Sequence, residues 1–524
     1  MCQPVHPVFG GELTGDKRSC CRSDAANRLR KGYVGSVWER AQKLTSWSGG
    51  IAGLLAILAA QFVLAGVFAF QPEGALAIIL GFVGVVVILD KPILGVGVLL
   101  IARLVSTGAT VFFRIGRMGI GPMEPTLVVC LAALVFHAAL SKRVLWQSWP
   151  WRTPYLMFLG WVSLSLLWSV DPGSGLGEIL PMLLVLANCL VILGFVTTWD
   201  NFRLMLWFWV GSCVAIGVLA LASDSLGISV GDVSFQAAAG GGRETGLGQQ
   251  PNWFAMNLMF IIHTCFGMAL LERRKWLRYA LIASGFFIFV MMLKSGSRGG
   301  AYATLIGGVL AALAHPLFRK WFVRFAVLTA VIFALGIAFN IGDAGQALTR
   351  IGSSVTLHSN IRQLNWLVCM EMFSDTFGLG IGVSGYEVLL PEYNNYIAQS
   401  LYDYPHGIFW EVIAHFGIIG LLLVCWTVVM IGRMVQELVA MSKGTEAEVF
   451  AWTMPAAMLG YAAWSFMEFT VNEKPFWEFL SLYTALYLIV KRMKEQGETL
   501  PTWSSPIALF GGTADEEPEA ADGA

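Results

Sequence analysis

The chain has 524 residues, 56% of them hydrophobic and only 13% charged, against roughly 25% charged in ordinary soluble domains. That little charge cannot cover the surface of a soluble globule, and a chain so apolar is not disordered. Lys+Arg and Asp+Glu both number 34, so no basic excess favours a nucleic-acid partner; the class left is a polytopic membrane protein whose apolar surface faces lipid.

No apolar core precedes Ile51, so residues 1–50 hold no signal peptide. They carry eight basic residues (Lys17, Arg18, Arg22, Arg28, Arg30, Lys31, Arg40, Lys43) against four acidic ones and read as a disordered cytoplasmic leader. A spanning helix needs about 20 apolar residues to cross a core about 30 Å thick. Candidate spans fall near 51–70, 74–90, 92–106, 123–140, 154–170, 178–197, 203–222, 252–271, 277–293, 299–314, 322–340, 406–432, 450–470 and 475–490. The third is short enough to be re-entrant, so the expectation is an all-α bundle of 12–14 transmembrane helices over 51–490.

Basic residues near span ends set orientation. With the leader inside, Lys142-Arg143, Arg273-Arg274-Lys275, Arg319-Lys320 and Lys491-Arg492 also fall inside, so both termini are expected in the cytoplasm. Residues 491–524 form an acidic, solvated tail. The nine Cys show no disulfide or zinc spacing and read as small buried hydrophobes. His137 and His263 are the other ionisable groups expected inside spans, both as structural residues.

Four outward segments carry more than a connector needs. The first is Gly240-Gly-Gly-Arg243-Glu-Thr-Gly246 leading to Pro251-Asn252, where glycines permit close approach and a guanidinium suits phosphate oxygens. The alternative is a flexible loop in which Arg243 pairs with Glu244. The second, Ser295-Gly-Ser297-Arg298-Gly299-Gly300, places an arginine at the membrane boundary beside a helix start, a setting for an anion. The alternative there is an arginine reaching lipid headgroups.

The third is the 341–405 loop, with six acidic and two basic residues. Trp366, Met370 and Phe373 recur at helical spacing, so an amphipathic helix is expected, with Arg362 on its first turn. The string Gly378-Leu-Gly380-Ile-Gly382 lacks the βαβ setting of a dinucleotide site and reads as a tight loop packed on the membrane face. The fourth segment is Tyr404-Pro405-His406-Gly407, followed by Glu411 and His415 one turn apart, which the spacing predicts as a Glu–His pair within the membrane. His406 is expected to titrate near neutral pH.

The order Arg-x-x-Gly, Pro-Asn-x-x-Ala, Ser-Arg-Gly-Gly, Arg-x-x-x-Trp, Gly-x-Gly, a helix-opening His and Gly-x-x-Gly, over 243–420, resembles the O-antigen ligase and O-antigen polymerase-like superfamily of bacterial membrane glycosyltransferases. The resemblance implies a GT-C-like, metal-independent bundle without a cofactor, capped by a periplasmic loop in the bacterial inner membrane. It implies an undecaprenyl-diphosphate-linked glycan as donor and lipid A-core or another glycan as acceptor. It implies Arg243, Arg298 and His406 as the catalytic set, with Arg362, Glu411 and Asn252 binding substrate. Ligases and polymerases often carry His-Asn here and Glu nine residues later; this chain has Gly407 and His415 instead. A secondary transporter or a non-catalytic envelope-assembly protein are the competing readings, although transporters place their sites near the midplane.

Overall fold

The computed structural model describes residues 83–105, 113–115, 118–141, 148–226, 250–314, 319–320, 322–324, 326–327, 331, 356–393, 404–468 and 471–499. The chain divides into two units, 1–86 and 87–524, and every element named below belongs to the second. The expected leader, the span at 51–70, most of those at 74–90 and 322–340, and the tail beyond Thr499 lie outside the described residues.

The fold is a polytopic all-α bundle. Its helices are α1 (Pro92–Val105), α2 (Met123–Ser141), α3 (Arg152–Leu164), α4 (Pro172–Phe195), α5 (Trp199–Leu226), α6 (Pro251–Leu271), α7 (Lys275–Lys294) and α8 (Arg298–Ala314). They continue as α9 (Thr356–Asp375), α10 (Gly385–Tyr393), α11 (Ile408–Ser442), α12 (Glu446–Ser465) and α13 (Lys474–Glu495). A short antiparallel hairpin, Phe113–Ile115 with Met118–Ile120, links α1 to α2. Among the described residues six helices are long and apolar enough to cross a membrane, namely α2, α4, α5, α6, α7 and α11; α1 and α8 are shorter apolar helices.

Local chemistry sets the boundaries. Asp171 caps α4 by accepting from Ser174 N at 3.0 Å, with Pro172 in the first turn. The span expected at 154–170 is therefore cut short: α3 ends at Leu164, a 3-10 turn covers Ser165–Leu167, and the residue before Pro172 is driven out of helix. In contrast α11 runs well past 432 to Ser442, with a break at Gly417 (φ 61°, ψ −157°).

Helix packing uses small residues. Gly299, Gly307 and Gly460 lie on the α8–α12 seam: a Cβ on Gly307 would collide with the Ala456 carbonyl, and one on Gly460 with that of Ala303. Close backbone approach of this kind is how membrane helices gain packing without a hydrophobic drive between them.

The interior also holds charge that the hydropathy pattern hid. Arg103 of α1 pairs with Glu478 of α13 and donates to Asn257 of α6, and Asn188 of α4 donates to Glu478 at 2.9 Å. The Arg103 guanidinium also lies 5.0 Å from the Trp209 ring centroid. Both side chains of the pair are buried. This corrects the expectation that His137 and His263 were the ionisable groups inside the spans: each charge sits in an apolar run long enough to average it away.

The helices alternate in direction, so the starts of α6, α8, α11 and α13 gather at one end with the α12–α13 turn. The exposed basic residues Arg273, Arg274, Lys275, Lys443, Arg492 and Lys494 lie at the other end.

Candidate active site

The site is built where α9 crosses the start of α11. Two consecutive α9 residues hold the chain entering α11: Asn365 Nδ2 donates to the Tyr404 carbonyl at 3.1 Å and Trp366 Nε1 to the His406 carbonyl at 3.4 Å. Trp366 stacks on Trp410 with centroids 5.2 Å apart and planes 14° apart, and Phe466 packs against both. This aromatic packing fixes α9 to α11 without drawing on the polar groups between them.

His406 adopts φ 55°, a left-handed conformation that few non-glycine residues take. Surrounding contacts must hold it there. Gly407, with φ 148°, lies so close to the Phe466 carbonyl that any Cβ would collide with it. The Gly407 that departs from the His-Asn pattern is thus required by the α12–α13 turn. The Tyr404 and His406 rings lie 3.9 Å apart at 31°. His406 is buried. Burial first, and then the Arg362 guanidinium, hold its imidazole down at about 3. The expectation of a group titrating near neutrality is corrected: the ring is neutral at neutral pH because it is buried and, secondly, because a cation is its neighbour. Burial and the Glu468 carboxylate push the Tyr404 phenol well up, so it keeps its proton, and it hydrogen-bonds Gln250.

A carboxylate outside the expected set organises the polar side. Glu468, in the α12–α13 turn, accepts from Arg362 at 2.5 Å through one oxygen and from Asn252 Nδ2 at 2.7 Å through the other. Glu468 is buried, whereas the Arg362 side chain is 30% exposed. The Arg362 side chain is therefore partly open, and its charge reaches His406. Three segments remote in sequence meet here: the first turn of α6, α9 and the α12–α13 turn.

Of the expected site residues, Asn252, Arg362 and His406 are brought together. Arg362 sits nearly two turns into α9, not on its first turn, because the helix starts at Thr356. The Glu411–His415 side-chain pair does not form. Glu411 instead accepts from the Val471 main-chain N at 2.8 Å, and the His415 ring hydrogen-bonds the main chain of Glu411. An unsatisfied turn N–H is a stronger claimant for the carboxylate than a neutral imidazole one turn away.

Arg298 is the first residue of α8 and is half-buried; Ser297 caps the helix by accepting from Gly300 N at 3.3 Å. Gly299 and Gly300 bring this turn against Trp464, four residues before Glu468. Arg243 lies outside the described residues.

Glu468 was hidden inside the 450–470 apolar run, although an ionisable residue in such a run is itself a signal. Asn365 and Trp366 act through main-chain contacts that no motif announces.

Residues 282–425 match the family described as O-antigen ligase. The matched stretch contains Arg298, Arg362, His406 and Glu411, and excludes Arg243, Asn252 and Glu468. No curated protein matches the chain.

Proposed function

We propose, from the premise that residues 282–425 are an O-antigen ligase domain in a multi-pass membrane protein, that the chain is a lipid-linked-glycan glycosyltransferase. Its donor is an undecaprenyl-diphosphate-linked glycan and its acceptor a sugar hydroxyl, on lipid A-core for ligation or on another carrier-linked glycan for polymerisation. The reaction takes place at the periplasmic face of the bacterial inner membrane, with both termini in the cytoplasm. The basic residues gathered at the end opposite the site support that sidedness.

The observation that carries the reading is the juxtaposition of a neutral, buried His406 with the partly exposed side chain of Arg362. Arg298, Arg243 and Arg362 supply the cations for the carrier diphosphate, and Asn252 and Glu411 shape the site, Glu411 by anchoring the α12–α13 turn. The acceptor oxygen forms a bond to the anomeric carbon as the bond from that carbon to the phosphate oxygen breaks. The electron pair leaves with the diphosphate, whose charge the arginines stabilise. The hydroxyl proton passes to His406, and the anomeric centre inverts.

The depressed basicity of His406 fits this order of events. A free Arg362 disfavours imidazolium; a bound diphosphate on Arg362 reverses the local field and favours it. The base is weak until the donor is in place.

The test is transfer by the purified protein in liposomes with a defined lipid-linked donor. Loss of transfer in His406→Ala, with donor binding kept, is the expected result, and full transfer would overturn the assignment. Arg298→Ala with Arg362→Ala is expected to abolish donor binding; intact binding would refute the diphosphate grip. A gene deletion separates the acceptors: loss of long chains alone means polymerisation, and loss of all attachment to core means ligation.

A further inference from the structure

The loop after α9 lies deep against a spanning helix, not on its rim. Residues 377–383 fit into the break of α11: Ile381 N donates to the Ala414 carbonyl and Gly382 N to that of His415, both at 2.9 Å, while Ile418 N donates to the Gly378 carbonyl at 2.9 Å. Gly380 (φ 88°) approaches the main chain of His415 and Gly417 too closely for any Cβ. Gly417 lies nine residues inside α11, or about 13 Å at the helical rise of 1.5 Å per residue. Half of a hydrocarbon core is about 15 Å.

Irregular backbone survives at that depth only if its polar groups are satisfied within the protein. Its N–H groups are. The N–H groups of Phe377, Gly378 and Leu379 donate to Ser374, Phe373 and Thr376 carbonyls. Those of Gly380 and Val383 donate to the Thr376 and Ser165 hydroxyls. With Ile381 and Gly382, every N–H from 377 to 383 has a protein acceptor. Trp168 Nε1 and Ser169 Oγ cover the Gly380 and Val383 carbonyls. A loop lying in water needs no such closure.

The outward side of this loop carries large apolar side chains. Phe377, two residues beyond the end of α9, is 100% exposed, and on α9 Leu367 (64%) and Met370 (41%) form an exposed apolar stripe at i and i+3, with Ser374 and Asp375 exposed in the last turn. Leu379, Ile418 and Leu422 are exposed at the same level, as is Leu167 at the end of the 3-10 turn. Asp375, beside the stripe, accepts from the Tyr393 hydroxyl at 3.0 Å. Side chains from three remote segments thus form one apolar collar around the break in a spanning helix.

We infer that Leu367 and Met370 of α9 and Phe377 of the loop that follows it are inserted in the bilayer, with Phe377 in the acyl chains, so that the loop helix is anchored in the leaflet on the site side. The occupant of this face is lipid, because the collar is continuous with the lipid-facing side of α11 and every loop N–H from 377 to 383 is bonded within the protein. This conclusion does not depend on the reaction catalysed.

The experiment uses the full chain in phospholipid nanodiscs, with the other accessible cysteines replaced by serine and a nitroxide placed at Phe377→Cys or Met370→Cys. Collision of the label with oxygen, which concentrates in acyl chains, is compared with collision with a water-soluble nickel chelate. Leu422→Cys marks the lipid face and Glu498→Cys an exposed polar end. An oxygen preference at both positions, matching Leu422→Cys, is expected. A nickel preference matching Glu498→Cys would overturn the inference. Protection from both reagents would overturn it too, by showing that protein covers the face. If the label at 377 prevents folding, the reading at 370 decides by the same criterion.

Discussion

Arg362 of α9 and Glu468 of the α12–α13 turn meet at 2.5 Å, although 106 residues separate them. Glu468 also holds Asn252. One carboxylate thereby joins the loop helix to the spanning bundle and sets the position of the cation beside His406. The contacts described between α9 and the start of α11 are aromatic or made to main chain, so this ion pair to the α12–α13 turn is where charge and architecture coincide.

Removing either partner leaves the other charge poorly compensated. Arg362→Gln and Glu468→Gln are each expected to cost about 1–3 kcal/mol, the range for hydrogen bonds to charged groups, and the partial exposure of Arg362 favours the lower end. The double variant is expected to cost less than the sum, with a coupling of about 0.5–3 kcal/mol. Unfolding of the detergent-solubilised protein with denaturant measures all three. Strict additivity would show that the two residues do not depend on each other.

Gly407 gives a sharper test of the site's construction. Many ligases and polymerases have Asn after the helix-opening His, so Gly407→Asn restores the common pair. The close Phe466 carbonyl and the φ of 148° predict the opposite of a gain. The variant is expected to lose about 1–3 kcal/mol by overpacking and most of its transfer activity, because His406 must move when the turn does. Activity at or above that of the natural chain would refute this.

How far these features were legible in the sequence depends on what each residue's neighbours do. Long apolar runs announce spanning helices because lipid imposes length and composition directly. His406 and Asn252 were legible because polar residues at helix starts stand out against such runs, and Arg362 because it is one of two basic residues in a long acidic loop. Arg103, Glu478 and Glu468 were not, since averaging over a window removes a single charge. The Glu411–His415 pair was misread because helical spacing gives proximity, not partnership: the Val471 N–H, from a turn 60 residues away, claimed the carboxylate. The Gly378–Gly382 string was legible as a tight loop, but only the break at Gly417 shows what it is tight against.

The buried Arg103–Glu478 pair carries its own prediction. Arg103→Met or Glu478→Leu alone strands a charge among α1, α4, α6 and α13, and each is expected to cost about 3–5 kcal/mol. Replacing both removes the stranded charge, so the double variant is expected to be more stable than either single one. Yield of folded protein and its thermal midpoint in detergent measure the order. A double variant worse than both singles would mean that Asn188 and Asn257 need the charges more than the bundle does.

The last prediction concerns His406. Its imidazole is held down at about 3, by burial and then by Arg362, against an ordinary value of 6.5. Between those values the unfolded chain binds a proton at this residue and the folded chain does not. Stability therefore rises with pH across the window. The contribution of His406 is fully present above 6.5 and is lost as pH falls towards 3. His406→Asn should flatten that part of the stability–pH curve, while Arg362→Gln should narrow the window from its acid side, because one of two depressing causes is gone and burial remains. The same shift is expected in the acid limb of kcat/KM, which reports the free enzyme: far below 6.5 in the natural chain, and higher in Arg362→Gln. Thermal midpoints and transfer rates measured from pH 2 upward, each referred to His406→Asn, check both. An acid limb near 6.5 in the natural chain would refute the cation's hold on His406, and an unmoved limb in Arg362→Gln would assign the depression to burial alone.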